Sequence, residues 1–121
     1  MATIDSQTLW DRIAGDRGLL SELLDCFRQD YPAQIQAARE ALAQADSQGI
    51  EQAAHSLKGT LANLAATVAH RLAAKLEDLG RSGQLAQAHA TLAELEQELI
   101  RVTASLEALC QGVPVEDPHR R

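Results

Sequence analysis

Apolar residues recur at steps of three and four positions along most of the chain, which is the spacing of one face of an α-helix. A short first helix is predicted to begin at Asp5 or Ser6 and to end near Gly15. A second helix is predicted to begin after Asp16, because aspartate and serine side chains accept hydrogen bonds from the free N–H groups of a first helical turn. Pro32 interrupts the second apolar stripe, so the pattern predicts a kink or a restart of the helix there.

Three further helices are predicted in the rest of the chain, over residues 49–64, 67–79 and 85–109. The polar and glycine-containing segments 46–49 and 80–83 are predicted to be turns. Helices joined by short connections pack as antiparallel neighbours. The predicted fold class is therefore all-α, an antiparallel up-down four-helix bundle with a short extra N-terminal helix. Residues 1–112 are predicted to form this one domain, and residues 113–121, with two prolines and mixed charges, are predicted to be a disordered tail.

The length and the charge of the chain narrow the classes of function. With 121 residues it has room for one hydrophobic core, and it has no glycine-rich loop to hold a nucleotide phosphate. Its net charge of −6 disfavours a nucleic-acid partner, because the phosphate backbone would repel it. No stretch approaches the ~20 apolar residues of a membrane helix, no secretory signal is visible, and the two cysteines lack metal-ligand spacing. The sequence predicts a cytoplasmic protein without a membrane or nucleic-acid partner.

The third predicted helix carries a histidine on the side away from the core. On a helical wheel with Ile50 at the centre of the apolar stripe, His55 falls about 140° away and Lys58 about 80° away. Gly59 falls near 180°, on the exposed face, where a glycine costs roughly 1 kcal/mol against alanine without any packing gain. A glycine at this position is explained if a second molecule must approach the helix closely beside His55.

These three residues together suggest a particular chemistry. An exposed imidazole is partly neutral at cell pH and is therefore nucleophilic. Lys58, within one turn of His55, could neutralise an anionic group carried on the imidazole. The bare surface at Gly59 would admit a partner face to face. The pattern predicts a covalent phosphoryl carrier.

The segment His-Ser-Leu-Lys-Gly-Thr-Leu-Ala-Asn-Leu, residues 55–64, resembles the signature of the histidine-containing phosphotransfer (HPt) domain family. The resemblance extends over about residues 5–109 and includes segments 27–32, 72–77 and 80–83. The sequence departs from the family at Ala65, where a glycine is usual ten residues after the histidine. Because glycine helps to end a helix, the C-terminus of this helix is predicted to differ.

The resemblance implies a function and a set of roles. His55 Nε2 would accept a phosphoryl group from a receiver-domain aspartyl phosphate and pass it to another receiver aspartate, while Lys58 holds the phosphate oxygens and Gly59 admits the receiver. The chain would be a carrier without autokinase activity, without a metal site or cofactor of its own, since Mg²⁺ belongs to the receiver. Expected partners are response-regulator receiver domains and a hybrid histidine kinase, with the chain itself a monomer. Further receiver contacts are predicted at Gln48, Glu51, Gln52, Ala62 and Asn63.

Other classes of function remain as alternatives. The regular last helix could form an intermolecular coiled coil, which would make the chain a helical adaptor whose function survives His55→Gln. A di-iron site needs paired Glu-x-x-His motifs, and this spacing occurs only at Glu116 and His119, in the predicted tail. A dimerising histidine-kinase helix is disfavoured, because those helices have a proline where this chain has Gly59.

Overall fold

The chain folds as a bundle of helices, as the apolar pattern predicts. A computed structural model describes residues 3–112, so the predicted tail, including Glu116 and His119, lies outside the described residues. The helices are α1 (Ser6–Arg12), α2 (Arg17–Ala43), α3 (Ser47–Asn63), α4 (Thr67–Ser82) and α5 (Leu85–Cys110). The all-α fold class, a four-helix bundle with a short extra N-terminal helix, is confirmed. No helix within residues 3–112 is both long and apolar enough to cross a membrane.

Aspartate side chains begin the first three helices. Asp5 accepts a hydrogen bond from the Thr8 N–H, and Asp16 accepts one from the Leu19 N–H. Asp46 does the same for α3. Because each carboxylate satisfies an N–H that has no partner inside its helix, it fixes where the helix starts. The predicted starts of α1 and α2 are confirmed.

Pro32 does not restart the second helix, so that alternative of the prediction is wrong. The helix α2 is continuous from Arg17 to Ala43 with Pro32 inside it. Proline lacks the N–H that would bond to the carbonyl four residues earlier. Phe27 before it and Ile35 after it are both buried in one core, and Phe27 also stacks on Tyr31 with ring centroids 4.7 Å apart. Burial on both sides of the proline outweighs one missing hydrogen bond.

The two predicted turns lie largely inside helices. Asp46 is the N-cap of α3, which begins at Ser47, so the chain reverses at Gln44 and Ala45 instead. The helix α4 continues through Ser82, and the reversal is made by Gly83 with φ 71°. Gly49 and Gly80 were misleading signals, because each lies inside a helix at a point of close packing, whereas Gly83 does make the turn.

The helices α3 and α4 approach each other closely at Gly80. A Cβ atom on Gly80 would lie 2.8 Å from the backbone nitrogen of Glu51 and 2.9 Å from Ile50 Cγ2. The two backbones are therefore in direct contact there, with no room for a side chain. Around the bundle, α3 packs on α2 and α4, and α5 packs on the same two helices. This arrangement fixes the register of α4 against α3, on which the candidate site depends.

The segment after α3 turns at Ala65 with φ 54°. This is the left-handed region, which glycine adopts freely and which costs an alanine about 1 kcal/mol or more. The helix ends at Asn63, and the carbonyl of Ala65 accepts a hydrogen bond from the N–H of Asp5 at 2.9 Å. Arg12 donates to the carbonyl of Ala62. The N-terminal segment with α1 thus covers the C-terminal end of α3.

Candidate functional site

His55 lies on the solvent-facing side of α3, where the helical wheel places it. Its side chain is 70% exposed, one turn after Glu51 and one turn before Gly59. The neighbouring stripe of Ala54 and Leu57 is fully buried, so the helix cannot rotate without losing its core contacts. The imidazole is therefore held at the surface by the packing of the opposite face.

A buried glutamate on α4 contacts the histidine. The side chain of Glu77 is only 8% exposed, and its Oε2 accepts a hydrogen bond from His55 Nδ1 at 2.9 Å. Its Oε1 accepts one from Lys58 Nζ at 2.6 Å. The hydrogen bond from Lys58 lowers the pKa of Glu77, burial opposes this, and the hydrogen bond from His55 adds to the lowering. The carboxylate is ionised at neutral pH.

The ionised glutamate sets the tautomer of the imidazole. A carboxylate can only accept, so Nδ1 of His55 must carry the proton of this hydrogen bond. In the neutral ring the other nitrogen, Nε2, then has the free lone pair. Glu77 thus presents Nε2 as the nucleophilic atom of the site.

Lys58 is tied into the same cluster. Its side chain is 31% exposed, and its ammonium group bonds to Glu77 in this structure. An ammonium group has three donors, so Lys58 can bind a second anion beside His55. A cation and a fixed imidazole therefore lie on one side of α3, next to its exposed glycine.

Gly59 lies on open surface. A Cβ atom built there would meet nothing within 4 Å. The fold does not require a glycine at this position, since an added Cβ atom would lie in open space. The prediction that Gly59 is needed for the close approach of a second molecule stays a prediction.

The predicted receiver contacts divide into two groups. Four of them are exposed and lie on the turns of α3 before and after His55, namely Gln48, Gln52, Ala62 and Asn63. Glu51 is different, because its side chain is 33% exposed and its Oε2 accepts a hydrogen bond from Arg81 Nε at 2.9 Å. Glu51 therefore bridges α3 to α4 in this structure.

The sequence analysis did not assign a role to Glu77 or Arg81, the two α4 residues that contact the site residues of α3. Ala69, Ala73 and Glu77 follow at steps of four, and all three are buried. An acid in line with a buried alanine stripe was the available signal, but it does not reveal which residue of another helix the acid meets. Among residues 3–112, no group of three or more histidines, cysteines, aspartates or glutamates could hold a metal ion.

Comparison with known proteins identifies the class. The family model for the Hpt domain matches residues 22–112, so the chain belongs to that family. It is a histidine phosphotransfer protein of the kind that acts in phosphorelays, and the resemblance predicted from residues 55–64 is confirmed. No curated protein matches the chain by sequence.

A solved structure has the same fold. The chain is similar to the crystal structure of histidine-containing phosphotransfer protein B (HptB) from Pseudomonas aeruginosa PAO1, with a TM-score of 0.84 and 26% sequence identity. The match covers 93% of this chain and 97% of the HptB chain. The likeness thus extends over the whole bundle, and nothing in it favours the adaptor alternative.

Proposed function

We propose that His55 is the phosphoryl acceptor of this protein and that Nε2 is the reacting atom. The observation that carries the proposal is the 2.9 Å hydrogen bond between Nδ1 and the buried Glu77 carboxylate, on a histidine whose side chain is 70% exposed. The bond leaves Nε2 unprotonated in the neutral ring, and the exposure leaves it open to a partner. The donor is the aspartyl phosphate of a receiver domain, and the acceptor in the next step is the aspartate of another receiver.

In the transfer, the Nε2 lone pair attacks the phosphorus atom. The N–P bond forms as the P–O bond to the aspartate breaks, and the aspartate leaves as a carboxylate. Nδ1 keeps its proton, so the substituted ring becomes positively charged. Glu77 lies against that proton at 2.9 Å and stabilises the developing charge. In the onward transfer a second receiver carboxylate attacks the phosphorus, and the pair of electrons returns to Nε2.

Lys58 and Gly59 allow the phosphoryl group and the receiver carboxylate to come close to His55. Lys58 is half-buried beside the imidazole and binds the phosphoryl oxygens, which lowers the repulsion between the phosphoryl group and the carboxylates around it. Gly59 keeps the surface one turn from His55 free of side chains. Gln48, Glu51, Gln52, Ala62 and Asn63 are the further contacts proposed for the receiver.

The proposal includes the setting of the reaction. The chain is a carrier without autokinase activity, and the Mg²⁺ that the transfer uses is held by the receiver and not by this chain. A hybrid histidine kinase supplies the phosphoryl group through its receiver domain. The chain acts as a monomer in the cytoplasm.

The test is transfer of label from phosphorylated receiver domains, with a panel of receivers because pairing is selective. The wild type should gain acid-labile, alkali-stable label, and His55→Gln should gain none. His89→Gln is the matched control, because His89 is exposed on α5 and should leave labelling unchanged. Absence of label on the wild type across the panel would contradict the proposal and favour the helical adaptor.

A further inference from the structure

The Glu77 carboxylate loses the hydrogen bond from Lys58 if Lys58 turns to a phosphoryl group on His55. In this structure its shorter hydrogen bond, 2.6 Å, comes from Lys58. The proposed function, on which this inference rests, turns Lys58 toward a phosphoryl group that carries about −1.5 to −2 charges at pH 7. After Lys58 has turned away, the charged ring of His55 still bonds to Oε2 of Glu77, but the hydrogen bond at Oε1 is lost. Glu77 is 8% exposed, and a buried carboxylate that loses a cationic partner is destabilised. A second cation within reach of Glu77 would offset that loss.

Arg81 is a cation within reach of the Glu77 carboxylate. It follows Glu77 by one turn on α4, and its Nη2 lies 3.6 Å from Glu77 Oε2, the oxygen that accepts from His55. At this N–O distance the two groups form an ion pair, but the distance is too long for a hydrogen bond, for which about 2.9 Å is usual. A shift of well under 1 Å would close it.

Two other acidic residues hold the guanidinium group in that position. Its Nε donates to Glu51 on α3 and its Nη1 donates to Asp78 on α4, both at 2.9 Å. The planar guanidinium group is rigid, so these two bonds direct Nη2 at Glu77. The side chain of Arg81 is 56% exposed, and it can therefore move by a fraction of an ångström without disturbing the core.

We propose that Arg81 is a positioning residue, which becomes the close partner of Glu77 when Lys58 turns to the phosphoryl group on His55. The exchange keeps the Glu77 carboxylate ionised and bonded to Nδ1 in both states. Glu51 then acts through Arg81, and its role is to hold the guanidinium group in place. Arg81 itself does not touch the reacting atoms.

The test is a double-mutant cycle on the lifetime of the phosphohistidine in the isolated protein. Wild type, Glu77→Gln, Arg81→Gln and the double variant of Glu77 and Arg81 are labelled with phosphoramidate, and loss of the phosphoryl group is followed. If Arg81 acts through the Glu77 carboxylate, Arg81→Gln should shorten the lifetime about fivefold in the wild-type background and leave it unchanged in the Glu77→Gln background. The same shortening in both backgrounds would overturn the proposal.

A matched control and a spectroscopic measurement distinguish positioning from general stabilisation. Arg101 on α5 pairs with the buried carboxylate of Glu98 at 3.0 Å, so Arg101→Gln removes the same kind of contact outside the site and should leave the lifetime unchanged. By ¹⁵N NMR, Arg81→Gln should keep the Nδ1–H tautomer of His55 in the free protein and weaken the Nδ1–H signal in the phosphorylated one. Equal changes in both states would contradict the proposal.

The outcomes separate this inference from the proposed function. If His55 of the wild type takes no phosphoryl group from any receiver or from phosphoramidate, the proposed function is wrong. If the wild type is labelled and Arg81→Gln has the wild-type lifetime, only the role of Arg81 is wrong.

Discussion

Replacing Gly59 by glutamine should make the protein more stable and a poorer partner at the same time. Gly59 lies inside α3, and an added Cβ would meet nothing within 4 Å, so the substitution has no steric cost in the monomer. Glycine is about 1 kcal/mol worse than alanine in a helix interior, and glutamine is close to alanine. The free energy of unfolding should therefore rise by about 0.5–1 kcal/mol. For a domain of this size the expected rise in Tm is ~2–4 °C.

The same substitution should weaken docking. Residues one turn apart on a helix have Cβ atoms about 5–6 Å apart, so the glutamine side chain would stand beside His55 on the face that the receiver is proposed to cover. We expect receiver affinity to fall at least tenfold, about 1.4 kcal/mol. Direct labelling of His55 by phosphoramidate should not change, because a small donor does not need the open surface.

Calorimetric titration with a receiver and urea unfolding measure the two effects. Gly59→Ala is the matched control, because it gives the same gain in helix propensity with only one methyl group on the surface. Unchanged receiver affinity in Gly59→Gln would refute our explanation of this glycine. A loss of stability would instead refute the description of the site as open surface.

Three further substitutions test the fold and the cluster. Gly80→Ala should lower the free energy of unfolding by about 1–3 kcal/mol, because its Cβ would lie 2.8 Å from the backbone nitrogen of Glu51, and urea unfolding no worse than wild type would contradict this. Ala45→Gly should raise the free energy of unfolding by about 0.5–1 kcal/mol, because Ala45 is exposed with φ 53°. An unchanged midpoint of urea unfolding would show that no strain is stored at Ala45. The pKa of Glu77 is lowered from 4.5, mainly by the hydrogen bond from Lys58, so its stabilising effect is complete above about pH 4.5 and is lost as the pH falls through the lower folded-state value. The difference in unfolding free energy between wild type and Glu77→Gln should therefore diminish in acid, and a constant difference from pH 3 to 7 would argue against this pairing.

The helices could be predicted because their signals are local. A stripe of apolar residues at helical spacing and an aspartate before the first turn depend only on neighbours in sequence. The errors at segments 46–49 and 80–83 arose where a glycine inside a helix is needed for close packing. A Cβ on Gly49 would lie 2.6 Å from the Asp46 carboxylate and 3.0 Å from the Ala41 side chain, and one on Gly80 would meet the backbone of α3. No pattern within one helix distinguishes such a glycine from one in a turn.

The candidate site could be predicted only as far as a single helix extends. His55, Lys58 and Gly59 share α3, so the 3.6-residue period alone fixes which of them face solvent and how far apart they lie. Glu77 and Arg81 lie on α4, and their distance from His55 depends on how α4 is rotated and shifted against α3. That information is absent from the periodicity of either helix.

The contact at Gly80 is what supplies this missing register. Gly80 lies against the backbone of Glu51 and the side chain of Ile50, while Glu77, one turn earlier on α4, meets His55, about one turn later on α3. Because the helices run antiparallel, a backbone contact at one turn fixes which side chains meet at the next. The absence of a side chain at Gly80 is therefore a condition for the hydrogen bond at Nδ1 of His55. A substitution there should disturb the tautomer of the histidine as well as the stability of the bundle, although Gly80 itself is buried between the helices and contributes no chemical group.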